Sequence, residues 1–119
     1  MKYKLAIIGF GNVGQGLAEI LATKTSLLSE RYGVDIRIVA VCDLLKGSIA
    51  EPEGFDPQLI LDHVRSNGDL KQFPAAYKDW DARETIEKSG ANVLIELSYT
   101  DLETGEPALS HIIQALQLG

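Results

Sequence analysis

The feature that most constrains this chain is a glycine-rich segment, Gly9-Phe10-Gly11-Asn12-Val13-Gly14, which follows directly on a continuous apolar run. That run, residues 4–8, is typical of a strand buried on both faces. After the glycines, apolar residues recur at helical spacing until a helix stop signal at Gly33. These helical positions are Val13, Leu17, Ile20, Leu21 and Leu28. A second β-branched run, residues 36–41, precedes Asp43, so the order predicts a βαβ unit with parallel neighbouring strands.

The rest of the chain alternates between loops, helices and one further strand. Residues 44–55 are punctuated by glycine and proline and are interpreted as a loop, and residues 71–76 hold a short strand or none. Asp56, followed by proline, and Asp81, followed by Glu84, are helix start signals. Residues 92–97 form the third clear strand, expected beside the first. A last amphipathic helix is indicated by Leu109, Ile112, Ile113 and Leu116.

This order predicts an α/β fold: a Rossmann-like, doubly wound, mostly parallel sheet with helices on both faces. We expect residues 1–119 to be a single dinucleotide-binding domain, truncated before its last strands. The reason is that no strand follows the last predicted helix, so the strand at residues 92–97 has an unpaired apolar edge. We therefore expect either that two copies of the chain pair through this edge or that another segment covers it.

Charge and cysteine content narrow the function. The formal net charge of −6 disfavours nucleic acid and anionic membranes as partners. No apolar run approaches the ~20 residues that span a bilayer. The single cysteine, Cys42, excludes an intrachain disulfide and a cysteine-cluster metal site, and it fits a reducing, cytoplasmic location.

The glycine-rich segment has the pattern of a phosphate-binding loop. Gly9 permits the tight turn, Gly11 removes the side chain where a pyrophosphate approaches, and Gly14 lets the helix pack closely on the strand. Free N–H groups at the helix start face the phosphates. We therefore expect Gly9, Phe10, Gly11, Asn12, Val13 and Gly14 to bind a dinucleotide.

Two further segments complete the predicted site. Asp43, at the end of the second strand, can accept both hydroxyls of the adenosine ribose, which favours NAD. Lys46 could instead attract the 2′-phosphate of NADP, so the choice between NAD and NADP stays open. Ser98, Tyr99 and Thr100 follow the third strand and are expected to hold the nicotinamide-side ribose. Three other residues, Cys42, His63 and His111, are interpreted as structural rather than functional, whereas both interpretations stay open for Glu96, a carboxylate within the third strand.

Residues 93–100, Val-Leu-Ile-Glu-Leu-Ser-Tyr-Thr, and then Glu103-Thr104-Gly105-Glu106-Pro107-Ala108 resemble the N-terminal NAD(P)-binding domain of homoserine dehydrogenase. The resemblance implies NAD(P)-dependent interconversion of homoserine and aspartate semialdehyde, in the biosynthesis of threonine, methionine and isoleucine. It also implies a substrate and dimerisation domain that this chain lacks, and a homodimeric parent. No catalytic residue is therefore assigned, and we expect the isolated chain to bind cofactor weakly without turnover.

Two alternatives stay open from the sequence. One is another amino-acid dehydrogenase of the same architecture, such as an aspartate dehydrogenase. The other is a non-catalytic module that senses NADH. The segment from Glu103 to Ala108 argues against the first, and a DNA-reading helix in a longer parent would favour the second.

Overall fold

The computed structural model of this protein describes residues 2–97. These residues form one sheet and its covering helices, in this order: β1 (Lys2–Ile8), α1 (Asn12–Tyr32), β2 (Asp35–Asp43), β3 (Gly47–Phe55), α2 (Pro57–Asn67), β4 (Tyr77–Lys78), α3 (Ala82–Lys88) and β5 (Val93–Glu96). The order across the sheet is β4-β3-β2-β1-β5. β1 is parallel to β2 and β5, and β3 is antiparallel to β2 and β4, so four of the five strands point the same way. The predicted Rossmann-like, mostly parallel α/β fold is confirmed.

The predicted βαβ unit is present. β1 lies between β2 and β5, and its last four residues are buried, as a strand covered on both faces requires. α1 is capped at its C-terminus by Gly33, which has a φ of 64°. The Gly33 N–H donates to the Ser29 carbonyl at 3.1 Å, and the Val34 N–H donates to the Leu28 carbonyl at 3.3 Å. β5 pairs with β1 as expected, and Asn92 fixes its start because its Oδ1 accepts from the Lys4 N–H at 2.8 Å.

The buried face of α1 differs from the prediction. Val13 and Ile20, expected on the apolar face, are 69% and 58% exposed. Leu21 is buried as predicted, and the other buried positions are the small residues Gly14 and Ala18. Small residues face the sheet because the helix approaches the strands closely at its start, and a pattern read from bulky residues alone cannot show this.

Residues 44–55 were expected to be a loop, and that prediction is wrong for all but residues 44–46, which form a turn. Residues 47–55 form β3, an antiparallel strand inserted between β2 and β4. Ala40 pairs with Ala50 but Ile38 pairs with Phe55, so the ladder is interrupted around Pro52. A proline is tolerated there because a bulge needs no ladder N–H at that position. The next short strand, β4, begins at Tyr77, just after the range considered for it.

Both predicted helix starts are confirmed. The Asp56 side chain accepts from the Gln58 N–H, and the Asp81 side chain accepts from the Glu84 N–H. α1 and α2 pack over a cluster that includes Ile7 of the sheet. The opposite face is lined by alanines and covered by Trp80, Ala91 and Leu94.

No helix within residues 2–97 is long and apolar enough to cross a membrane. The predicted helix containing Leu109, Ile112, Ile113 and Leu116 lies outside the described residues.

Candidate functional site

A cleft of about 690 Å³ opens at the carboxyl ends of β1, β2 and β5. It is lined by Ile8, Gly9, Phe10, Gly11, Cys42, Asp43, Leu44, Leu45, Gly47, Ser48, Asp79, Trp80, Asp81, Ala82 and Leu97. In open α/β sheets ligands bind outside the carboxyl ends of the strands, so this cleft is the candidate site. Its lining includes Asp43 and the first half of the glycine loop (residues 9–14), namely residues 9–11, but not residues 12–14.

The start of the glycine loop is held by the backbone and by one buried ring. Gly9 has a φ of 94°, a conformation that side chains other than hydrogen rarely permit. Its N–H donates to the Cys42 carbonyl at 2.7 Å, which ties the loop to the end of β2. The Phe10 side chain is fully buried and anchors the loop in the core. The start of the loop is therefore anchored both to β2 and to the core.

Gly11 and Gly14 are glycines for different reasons. A Cβ added at Gly14 would lie 2.9 Å from the Gly9 carbonyl oxygen and 3.2 Å from Phe10 Cδ1, so the fold itself excludes a side chain. A Cβ added at Gly11 would meet no atom within 4 Å, and its backbone is extended with a φ of −85°. Nothing in the packing of residues 2–97 demands a glycine at Gly11. The open space there is available to a ligand.

The first turn of α1 offers free hydrogen-bond donors to that space. Gly11 is its N-cap, no side chain within residues 2–97 caps it, and its first turn holds no acidic residue. The first N–H groups of a helix have no intrahelical acceptor, and the helix dipole makes this end attractive to anions. α2 and α3 satisfy these groups with Asp56 and Asp81. In α1 they remain for an anionic ligand such as a phosphate.

Asp43 connects the glycine loop to the β2–β3 turn. Its Oδ2 accepts from the Phe10 N–H at 2.7 Å, and its Oδ1 accepts from the N–H groups of Leu45 at 3.0 Å and Lys46 at 2.8 Å. Burial alone would raise the pKa of Asp43, but these three N–H donors and the charge of Lys46 outweigh it and lower the pKa below its ordinary value. The carboxylate is ionised and fixed in place.

This geometry bears on the predicted ribose contact. A carboxylate offers about four acceptor positions. Three are occupied by backbone N–H groups, so one remains, on Oδ2. The prediction that Asp43 accepts both ribose hydroxyls is thus restricted by a structural role that the sequence did not reveal.

Lys46 is held by its main chain. Its N–H donates to Asp43 at 2.8 Å and its carbonyl accepts from the Leu70 N–H at 2.8 Å. It is not among the residues that line the cleft. The positive charge of Lys46 helps to lower the pKa of Asp43. The sequence had instead suggested a contact between Lys46 and the 2′-phosphate of NADP.

The far wall of the cleft was missed by sequence reasoning. It is formed by Asp79, Trp80 and Asp81, between β4 and α3. The Trp80 ring stacks on Tyr77 with centroids 4.8 Å apart. Asp79 is the only residue other than glycine with a positive φ, 62°, within the described part of the chain. The sequence Asp-Trp-Asp at residues 79–81, directly before a predicted helix, was the signal that could have indicated this wall.

The other singled-out residues take structural positions. Cys42 is buried at the end of β2, its Sγ donates to the Trp80 carbonyl at 3.7 Å, and burial raises the pKa of its thiol. His63 packs edge-on against Phe73 with centroids 5.3 Å apart. Glu96 is half-buried in β5 opposite Ile8. Among residues 2–97 no three metal-ligating side chains come together.

The third predicted segment, Ser98, Tyr99 and Thr100, lies outside the described residues, as does His111. Leu97, the last described residue, lines the cleft, and its N–H donates to the Ile8 carbonyl at 2.7 Å.

Comparisons with known proteins agree with this architecture. The family model described as Glutamate/Leucine/Phenylalanine/Valine dehydrogenase matches residues 1–100. The chain is 33% identical to an NAD(+)-dependent homoserine dehydrogenase of Pseudomonas canavaninivorans, over 99% of this chain and 34% of that protein. It is 28% identical to a homoserine dehydrogenase of Methanocaldococcus jannaschii, over 95% of this chain and 33% of that protein. The chain thus spans about a third of the length of these curated relatives.

The fold is also similar to that of a solved homoserine dehydrogenase structure. A hyperthermophilic archaeal homoserine dehydrogenase in complex with NADPH superposes with a TM-score of 0.77 and 29% sequence identity. The match covers 100% of this chain and 34% of that chain.

Proposed function

Because the chain belongs to the Glutamate/Leucine/Phenylalanine/Valine dehydrogenase family and is homologous to the NAD(P)-binding part of homoserine dehydrogenases, we propose that it binds NAD or NADP in the cleft described above. The longer protein then transfers a hydride between homoserine and aspartate semialdehyde. The family model carries the name of amino-acid dehydrogenases, but the two relatives described above, which match over 99% and 95% of the chain, are homoserine dehydrogenases. We therefore favour homoserine as the substrate of the longer protein.

The single observation that carries this proposal is the empty space at Gly11. A glycine that the fold does not need, at the N-terminus of an uncapped helix, is explained by a ligand that must approach the backbone. A pyrophosphate is such a ligand, because it is doubly charged and accepts several hydrogen bonds.

We assign roles within the chain accordingly. The segment Gly9-Phe10-Gly11-Asn12-Val13-Gly14 holds the pyrophosphate, and Asp43 contacts the adenosine ribose through its remaining acceptor position. Ser98, Tyr99 and Thr100 are proposed to hold the nicotinamide-side ribose. Hydride transfer also needs a proton acceptor for the alcohol and a site for the substrate. We assign neither to this chain.

The test is a fluorescence titration of the 119-residue chain with NADH. Trp80 is its one tryptophan and lines the cleft, so we expect saturable quenching of its emission when NADH binds. NAD⁺ should reverse the quenching by competition. We further expect no oxidation of homoserine by this chain with either coenzyme. Quenching that fails to saturate with both NADH and NADPH would refute the proposal.

We also propose how this chain relates to the longer protein. Residues 1–119 belong to one dinucleotide-binding domain, and the longer protein is a homodimer. Within the described residues the sheet ends at β5, so we expect the isolated chain to self-associate through that edge. Light scattering behind a sizing column measures this, and a constant monomer mass at high concentration would contradict it. The single free thiol, Cys42, fits a cytoplasmic location.

A further inference from the structure

The charge of the cleft is strongly one-sided at the end formed by β2, β3 and β4. Three carboxylates line it, those of Asp43, Asp79 and Asp81, and no lysine or arginine is among its lining residues within the described chain. Two of these carboxylates are engaged, Asp43 by three N–H groups and Asp81 as the cap of α3. Asp79 is exposed, and no hydrogen bond or ion pair involves its carboxylate within residues 2–97. It is therefore an uncompensated negative charge.

The backbone fixes where that charge stands. The Asp79 N–H donates to the Ser48 carbonyl at 3.1 Å, and Ser48 pairs with Cys42 of β2. The Asp79 backbone is thus two inter-strand spacings from the end of β2, a distance of about 10 Å. This is comparable to the Debye length of roughly 8–10 Å at physiological salt, so the charge acts on a ligand lying between them.

We propose that Asp79 is a specificity-determining residue which, with Asp43 and Asp81, makes this chain prefer NAD(H) to NADP(H). This inference rests on the proposed function, which places the adenosine ribose at the end of β2. NADP(H) differs from NAD(H) by a 2′-phosphate of about −1.5 to −2 charge, as for other phosphate monoesters. That phosphate would enter the acidic end of the cleft, where it meets like charges.

Three lysines lie near this end of the cleft and oppose this effect. Lys46 lies beside Asp43 and offsets part of its charge. The Lys71 Cγ lies 3.4 Å from the position that a Cβ on Gly47 would take. The Nζ of Lys78, in β4, donates to the Lys71 carbonyl at 3.3 Å. None of the three lysines is among the residues that line the cleft, whereas the three carboxylates are. The charged groups on the wall of the cleft itself are therefore all carboxylates.

The experiment compares NADH and NADPH by Trp80 quenching in the 119-residue chain. At roughly 10 mM salt we expect NADH to bind about tenfold more tightly, and the ratio to shrink at roughly 200 mM salt because screening weakens the repulsion. Asp79→Asn keeps a residue that tolerates a positive φ and removes the charge. It should lower the ratio about two- to tenfold. Leu44→Arg, at a fully exposed cleft position, should tighten NADPH binding in particular.

The matched control is Glu30→Gln. It changes the net charge by the same amount but lies in the last turn of α1, roughly 27 Å along the helix from Asn12. It should leave the ratio unchanged. Tighter binding of NADPH than NADH, or a ratio that Asp79→Asn does not move, would overturn the inference while the proposed function stands. Binding of neither coenzyme would overturn both.

Discussion

Replacing Gly11 with serine is expected to weaken NADH binding at least about tenfold, or 1.4 kcal/mol, while leaving the fold as stable or slightly more stable. A serine at this N-cap can bond the free N–H groups of α1 with its own hydroxyl, and its Cβ meets no protein atom within 4 Å. The same hydroxyl then occupies the donors that the pyrophosphate needs. Binding is measured by Trp80 quenching and stability by thermal unfolding.

Two other glycines of the same helix serve as controls. Gly16→Ala adds a Cβ that also meets nothing within 4 Å, so it should stabilise the helix by about 0.5–1 kcal/mol and leave NADH affinity unchanged. Gly14→Ala forces a Cβ to 2.9 Å from the Gly9 carbonyl oxygen, so it should destabilise the fold by about 1–3 kcal/mol. If Gly11→Ser bound NADH like the unmodified chain, the loop would not be a phosphate site.

Replacing Asp43 with alanine is expected to lower the free energy of unfolding by about 2–4 kcal/mol, because three N–H groups lose a charged acceptor at once. For a domain of this size that corresponds to a fall of roughly 10–25 °C in the midpoint of thermal unfolding. NADH affinity should fall as well, since the glycine loop loses its tie to β2. A titration of this variant must therefore be made well below its unfolding midpoint.

The matched control is Asp56→Ala, which removes the cap of α2 and a single N–H acceptor away from the cleft. It should cost only about 1 kcal/mol and leave binding intact. Equal losses in the two variants would show that Asp43 acts as an ordinary turn residue and does not connect the two loops.

The pH dependence of the unfolding free energy distinguishes the stabilisation by the negative charge of Asp43 from the stabilisation by the shape of its side chain. Its pKa is lowered in the folded state, so its contribution is complete above the ordinary value of 3.8 and is lost as the pH falls through the lower folded pKa. Asp43→Asn does not titrate. The difference in unfolding free energy between the unmodified chain and this variant should therefore be constant near neutral pH and shrink below about pH 4.

The parts of the fold that the sequence predicted depend on local chemistry. A glycine turn between an apolar run and a helix, a left-handed cap at Gly33 and aspartate caps at Asp56 and Asp81 each act over a few residues. Their signals are therefore contained in short segments. The parallel pairing of β1 with β2 follows from the right-handed crossover that such a unit requires.

The parts that were missed depend on contacts between distant segments. β3 contains Pro52 and Gly54, which break a strand pattern, yet pairing with β2 and β4 holds it in the sheet. The Asp79 wall of the cleft exists because β3 separates β2 from β4. The carboxylate of Asp43 was correctly placed at the site, but its bond to Phe10, 33 residues away, has no signature in sequence.

The pairing of β1 with β5 also has a kinetic consequence. It joins residues 88 positions apart, such as Lys4 and Asn92, whereas β2 and β3 are joined by a tight turn. Closing a long loop is entropically costly, so distant pairings tend to form late and the hairpin early. Leu97 directly follows β5, so it takes its place in the cleft wall only after β5 has paired with β1. The nucleotide site is therefore complete only at the end of folding. Added coenzyme should then slow unfolding more than it speeds refolding.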